Sequence, residues 1–359
     1  MIVIERLKIK PDPNFERLKN VLTRAGMPDR VPFFDHGGLM PPYFAERIKK
    51  NECANEEEYN FRRQIECAFN LGADFVHGNA GNFTFKEAEA APGAGEDAFG
   101  GKRDRKYRGT TSSLMGNEND YERYPWPAIA AVDFDRITRH GALLRPGMKI
   151  IVSQRSVFEH VIGMMGYENL CYCIVENPVF FKKVCDRVGE LVIEWVSICA
   201  GMDDVGAILM YEDMGFKTQT MISPEMLREY IFPWHARFAK AIHACGKPVI
   251  LHACGNLRTV NEDIIASGFD AKQSFEDIIE PVWEFKKHYN GRISAMGGFD
   301  MDKLTRMNET EVRAHTRFLI DSCAAGGGYA MGSGNSVANY IPVENYLAML
   351  EETCLYGRY

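Results

Sequence analysis

The run VILHACGN at positions 249–256 ends an apolar stretch with an imidazole and a thiol two residues apart, His252 and Cys254. In a strand, residues two apart point to the same side, so these side chains converge on one point. They supply two of the three protein ligands of a catalytic zinc site, and sulfur with imidazole suits zinc. Alone, the pair reads equally as a buried cysteine beside a hydrogen-bonded histidine. The same arrangement recurs along the chain, with polar groups closing apolar runs at Asp35 and His36, His77 and Asn79, Gln154 and Arg155, Glu212 and Asp213, Gln273 and Glu276, Asp300 and Asn335. Ser-His-Asp spacing, a P-loop and a strand-borne GxGxxG are all missing from the pattern. The GSGNS segment at 332–336 could hold an anion on its backbone N–H groups, or form a plain tight turn.

Eight strand-like runs must position these groups: 31–38, 73–82, 149–156, 207–215, 249–256, 269–275, 292–300 and 327–336. Amphipathic helical patterns separate them. One follows Ser223-Pro224, a pairing suited to an N-cap and first helical position, and closes at Gly246. Eight strand-helix alternations predict an α/β chain folded as a single (β/α)8 TIM barrel over residues 1–359, with an N-terminal helical extension. A doubly wound open sheet is the alternative. The stretch from about 84 to 127 exceeds an ordinary connection and is expected to form a hairpin-like insertion after the second strand, over the barrel mouth.

With 359 residues, 46% hydrophobic and 25% charged, the chain can bury one large core. A net charge of -7 gives no basic footprint, which argues against nucleic acid and anionic membranes as partners. The N-terminal MIVIERLKIK is too short in apolar residues for a signal peptide, and no run reaches a membrane-spanning length. Ten cysteines scattered through helical and strand patterns read as reduced thiols, so a cytoplasmic location is expected.

The succession GADF (72–75), YEDMG (211–215), ISPEMLREYIFPW (222–234), HACGN (252–256), GGFD (297–300), GGGYAMGSGNS (326–336) and PVENYLAMLEE (342–352) resembles the uroporphyrinogen decarboxylase superfamily. The resemblance covers the chain from about residue 15 onward and implies a (β/α)8 barrel. Its decarboxylase branch uses arginines near the first strand and an aspartate closing the second, where this chain has FFDHGGLMPPYF and VHGNAGN. Its corrinoid-dependent zinc methyltransferase branch uses His-x-Cys, matched by His252 and Cys254, and a further cysteine where this chain has Asn335. Glu212 or Asp213 is then expected to complete the metal site. A centre completed by a carboxylate is harder and more Lewis-acidic than one with two thiolates.

The resemblance thus implies a methyltransferase that moves a methyl group from an O-methyl donor, such as an aryl methyl ether, to cob(I)alamin of a separate corrinoid protein, since no DxHxxG segment is present. Zinc is the expected metal and the corrinoid comes from the partner. If no metal is bound, proton donors to the departing oxygen would be Glu212, His36 and His77, and substrate would meet Phe34, Tyr211, Asn79 and Asn335. The alternatives are a carboxy-lyase with Arg155 and Arg258 as carboxylate clamps, a methylcorrinoid:thiol methyltransferase, and a barrel that only binds corrinoid or metal. Barrels of this superfamily are often homodimers, which is the assembly expected here.

Overall fold

The computed structural model describes residues 7–37, 42–88, 91–96, 102–107, 112–338 and 340–359, with the side chains at 42, 43, 91–96 and 102–107 outside that set. The strands, in chain order, are β1 Phe75–Gly78, β2 Ala91–Glu96, β3 Lys102–Tyr107, β4 Lys149–Arg155, β5 Val205–Tyr211, β6 Val249–His252, β7 Ala271–Gln273, β8 Ser294–Met296 and β9 Tyr329–Ala330. Seven of them form one parallel sheet in the order β1-β4-β5-β6-β7-β8-β9. Helices lie between them along the chain, so the architecture is parallel α/β and TIM-barrel-like.

The expected first strand, 31–38, does not form a regular strand in its described part. It joins β9 through a parallel bridge from Phe33 to Met331, with Phe34 N–H donating to the Met331 carbonyl at 2.8 Å and Met331 N–H to that of Pro32 at 2.9 Å. Toward β1, no backbone ladder forms among the described residues. Side chains span that seam instead: His77 Nε2 lies 2.7 Å from the Asp35 carbonyl, and the Phe34 and Phe75 rings stack at 5.5 Å. Pro32, which has no N–H to offer, stands in the middle of this segment and weakens any continuous pairing.

The interior is filled from below. Phe15, Leu18, Val21 and Leu22 of the helix Phe15–Thr23 share one buried cluster with Phe75, Ile151, Leu209, Ile250 and Met296. Ala207, Ala271 and Ala330 are small members of the same cluster, leaving volume for that helix. A second, larger cluster lies between sheet and outer helices, as alternation along each strand requires. Ser223 caps the next helix as its spacing predicts, accepting from Met226 N–H, but Pro233 divides the expected single helix into Pro224–Tyr230 and Phe232–Ala244.

Of the 84–127 stretch, β2 and β3 pair antiparallel, Ala91 opposite Tyr107, and a helix follows at Glu118–Arg123; positions 89, 90, 97–101 and 108–111 lie outside the described residues. All ten cysteines are free. Among the described residues no helix is long and apolar enough to cross a membrane.

Two buried acids tie the N-terminal segments to the sheet. Arg17 on the plugging helix donates to Asp74 at 2.6 Å and grips Asp29 with two bonds of 2.6 and 2.9 Å, and Asp74 also accepts from Asn14 N–H at 2.8 Å. Asp74 therefore sits at the foot of β1, tying the plug to the sheet. At the opposite end, Asp35 accepts from Ser333 N–H at 2.7 Å, Ser333 Oγ at 2.6 Å and Tyr346 OH at 2.7 Å, which joins the first segment to the loop after β9 and to the last helix. Burial nevertheless raises its carboxyl from 3.8 to about 6.

Arg17→Met removes the nearer of two cations from a fully buried carboxylate, leaving Arg30 at 4.0 Å, and should cost about 3 kcal/mol in urea unfolding. For Asp35, the folded chain holds its proton between about pH 4 and pH 6 while the unfolded chain has lost it, so this group's contribution to stability falls as pH rises through that window. Asp35→Asn, which imitates the protonated acid, should therefore gain on wild type by roughly 2–3 kcal/mol between about pH 4 and pH 7. Equal urea midpoint shifts at both pH values would contradict it.

Candidate metal centre and adjoining cleft

The parallel register sets Tyr211 of β5 opposite His252 of β6, and His252 opposite Gln273 of β7. All three lie at the C-terminal ends of their strands, where barrel chemistry sits. Strand alternation then separates the neighbours along β5. Ala207 and Leu209 pack into the barrel interior and Met210 into the outer layer, so Tyr211 and Asp213 follow the inward phase and Glu212 the outward one.

Asp213, His252 and Cys254 form the one group of potential metal ligands found among the described residues, with their ligand atoms within 4.8 Å of one another. Cys254 Sγ lies 3.5 Å from His252 Nε2, and Asp213 Oδ1 lies 3.9 Å from the same nitrogen. The other ring nitrogen of His252 contacts the side-chain oxygen of Gln273. An amide oxygen only accepts, so His252 carries its proton on Nδ1 and turns the Nε2 lone pair to the centre, the usual support for a metal-binding histidine. Asp213 Oδ1 also accepts from Cys254 N–H at 2.8 Å, which fixes acid and thiol relative to each other. Burial and the nearby Asp213 push the Cys254 thiol up to about 12, so a positive charge is what this donor set lacks. The residues present fit a divalent ion of the zinc type.

Glu212 is displaced from the roles expected of it as ligand and proton donor. It is fully buried on the far side of β5, accepting from Phe158 and Glu159 N–H at 3.0 Å each and facing His235 Nε2 at 3.0 Å. It caps the helix Val157–Met165, where an anion suits the positive dipole end.

The two histidines also differ from expectation. His77 uses Nε2 against the Asp35 carbonyl, so that nitrogen holds its proton for the seam. Burial pushes His77 below its ordinary value, and burial beside His252 and His77 pushes His36 down to about 3. Both are neutral near pH 7 and neither stands ready as an acid. His36 lies inside the site all the same: its Nδ1 is 3.0 Å from Tyr211 OH and its ring centre 4.8 Å from that of His252.

A cleft of about 890 Å³ opens at the ends of β1, β4 and β5, lined among others by His77, Asn79, Phe83, Phe85, Gln154 and Tyr211; none of the three ligands lines it, and Tyr211, whose ring lies 5.5 Å from that of His252, stands between the two. Tyr211 and Asn79 thus face the space where substrate was expected. Phe34 does not; it is fully buried in the barrel interior and packs against Phe75. Asn335 reaches the metal group, with Nδ2 3.3 Å from Cys254 Sγ. The GSGNS loop is no anion cradle, because Ser333 N–H is taken by Asp35, Gly334 N–H by Phe299 and Ser336 N–H by the Asn335 side chain. Of the two candidate carboxylate clamps, Arg155 pairs with Glu87 and Glu159, and Arg258 lies 3.8 Å from Glu280.

Sequence reasoning missed Gln273 as the support of His252 and missed Ser274 altogether. The first was findable from the alignment of strand ends, whereas the second depends on a backbone turn that residue types do not announce.

A methylated-thiol–coenzyme M methyltransferase from Methanosarcina mazei is 27% identical over 229 residues, 63% of this chain; the chain spans 58% of the length of that relative. A solved methyltransferase structure from Methanosarcina mazei superposes with a TM-score of 0.67 at 15% identity, covering 96% of this chain and 99% of that one, which establishes the shared fold. Residues 127–354 match the uroporphyrinogen decarboxylase (URO-D) family, and the chain belongs to it.

Proposed function

We propose that this chain is a zinc-dependent methyltransferase that passes a methyl group from an O-methyl donor to cob(I)alamin carried by a separate corrinoid protein. The observation that carries the reading is the convergence of Asp213, His252 and Cys254 at the strand ends, with Tyr211 between them and an open cleft. When bound there, zinc supplies Lewis acidity to the oxygen that leaves the methyl group. The ligand set favours oxygen over sulfur: a carboxylate stands in for the second thiolate of the family pattern, and it leaves more positive charge at the centre.

The chain's own residues do the remaining work. Tyr211 and Asn79 face the cleft and can orient a donor. Tyr211, with its hydroxyl pushed up to about 12 by burial, keeps its proton and shares it with His36. That pair can hydrogen-bond an oxygen at the boundary between cleft and metal group. Gln273 keeps the His252 lone pair aimed at the centre. The corrinoid, absent from this chain's motifs, is expected to be presented at the barrel mouth by its own protein.

A second reading, transfer from a methylcorrinoid to a thiol, is favoured by the named activity of the Methanosarcina relative. The lyase reading is weaker, since Arg155 and Arg258 both have acidic neighbours.

Zinc should bind at about one ion per chain. His252→Ala, Cys254→Ala and Asp213→Ala should each lose it, measured as metal content after dialysis. Glu212→Gln should retain zinc while losing about 1–3 kcal/mol of stability, because its hydrogen bonds are structural. Zinc lost with Glu212 but kept without Asp213 would reverse the assignment.

For the reaction, methylcobalamin formation from a methyl ether and the reduced corrinoid protein should appear with wild type and fall at least 100-fold in the three ligand variants. Demethylation of methylcobalamin by a thiol, with no ether cleavage, selects the second reading instead. Carbon dioxide release without corrinoid would select the lyase.

A further inference from the structure

Ser274 is one of three non-glycine residues among those described with a left-handed backbone, at φ +103°, and it is buried beside the metal group. A serine does not adopt that conformation without cost, and such cost tends to persist where it serves a site. Its effect here is geometric. Gln273 and Ser274 are consecutive, and in a continuing strand their side chains would face opposite ways. The turn at Ser274 breaks the alternation, so that Gln273 contacts His252 while Ser274 Oγ lies 3.5 Å from Cys254 Sγ.

Two contacts brace the turn. The buried Lys272 ammonium donates to the Ser274 carbonyl at 2.6 Å and lies 4.2 Å from the centre of the Phe275 ring. Phe275 N–H, one residue on, donates to the Gly334 carbonyl at 2.8 Å. That second bond ties the turn to the loop bearing Asn335, whose Nδ2 lies 3.3 Å from Cys254 Sγ and 3.4 Å from Ser274 Oγ.

We propose that Ser274 and Asn335 are positioning residues that hydrogen-bond the sulfur of Cys254 and thereby hold it as a weakened thiolate donor to a metal at Asp213, His252 and Cys254. This rests on the metal-dependent reading above and adds what sets the character of that centre. With the thiol deprotonated, the serine hydroxyl, itself accepting from Asn335, becomes a donor to sulfur, and the amide is a second. Hydrogen bonds of this kind draw electron density from the thiolate, so the ion keeps more of its charge and presents a harder acid to oxygen. Asn335 thus has a specific function at the position where a second thiolate would do the opposite.

The test loads the full chain with cobalt(II) in place of zinc and reads three quantities: cobalt affinity by chelator competition, the sulfur-to-cobalt charge-transfer band, and the melting temperature of the metal-free protein. Ser274→Ala and Asn335→Ala should each move the band to lower energy, since a thiolate without donors is easier to oxidise, and weaken cobalt binding about 10–100-fold, since the sulfur loses the contacts that hold it in place. Ser274→Gly should match Ser274→Ala in both metal readouts yet melt higher, because glycine accepts the left-handed backbone. Folded variants with unchanged affinity and band would overturn the proposal while leaving the metal site standing. A wild-type chain that binds no cobalt or zinc would instead overturn the metal-dependent reading, and this inference with it.

Discussion

The in-line register of β5, β6 and β7 is the constraint on which the rest of the site depends. It puts Tyr211, His252 and Gln273 side by side at the same height. Two residues further along, Asp213 and Cys254 reach the same level above them. A slip of one residue in β5 would exchange Asp213 for Glu212 and turn a potential ligand outward. The apolar alternation of Ala207 and Leu209 against Met210 prevents that slip, because it would also move the inner packing residues into the outer layer.

Beneath this plane the curled sheet and its flanking segments are held together by unequal means. Backbone pairing runs from β1 around to β9 and, through the Phe33–Met331 bridge, to the first segment; the seam from there to β1 is spanned by side chains, the His77 ring on the Asp35 carbonyl and Phe34 on Phe75. The helix Phe15–Thr23 fills the interior where a closed barrel would rely on layers of strand residues alone. Its anchor, Arg17, is paired with a carboxylate that water does not reach. At the mouth, two neutral, buried histidines stand near the candidate ligands. His36 and His77 are both kept uncharged by burial, so they add no positive charge beside the Asp213, His252 and Cys254 group.

Much of the plan was legible in residue order. The seven strands of the barrel sheet lie within or overlap the apolar runs read as strands, because alternation of strand and helix leaves a strong periodic signal. His252 and Cys254 were recognisable because spacing by two has one meaning in a strand. The first segment was not legible: its composition is that of a strand, but Pro32 and the seam toward β1 leave it with a single bridge. Phe34 was misplaced for a related reason, since an aromatic residue near a strand end looks the same whether it faces the cleft or the plug.

What the sequence determined by itself is the supply of groups and their order: the His-x-Cys pair, two adjacent acids after β5, an asparagine in the last loop, and enough alternation to bring strand ends together. Tertiary structure decided between Glu212 and Asp213, which differ by one position and therefore by a face. It also gave Gln273 and Ser274 their partners. That pairing depends on a left-handed turn braced by Lys272 and by a backbone bond to Gly334, sixty residues away in the chain, and no local pattern of residue types encodes a contact made across such a separation.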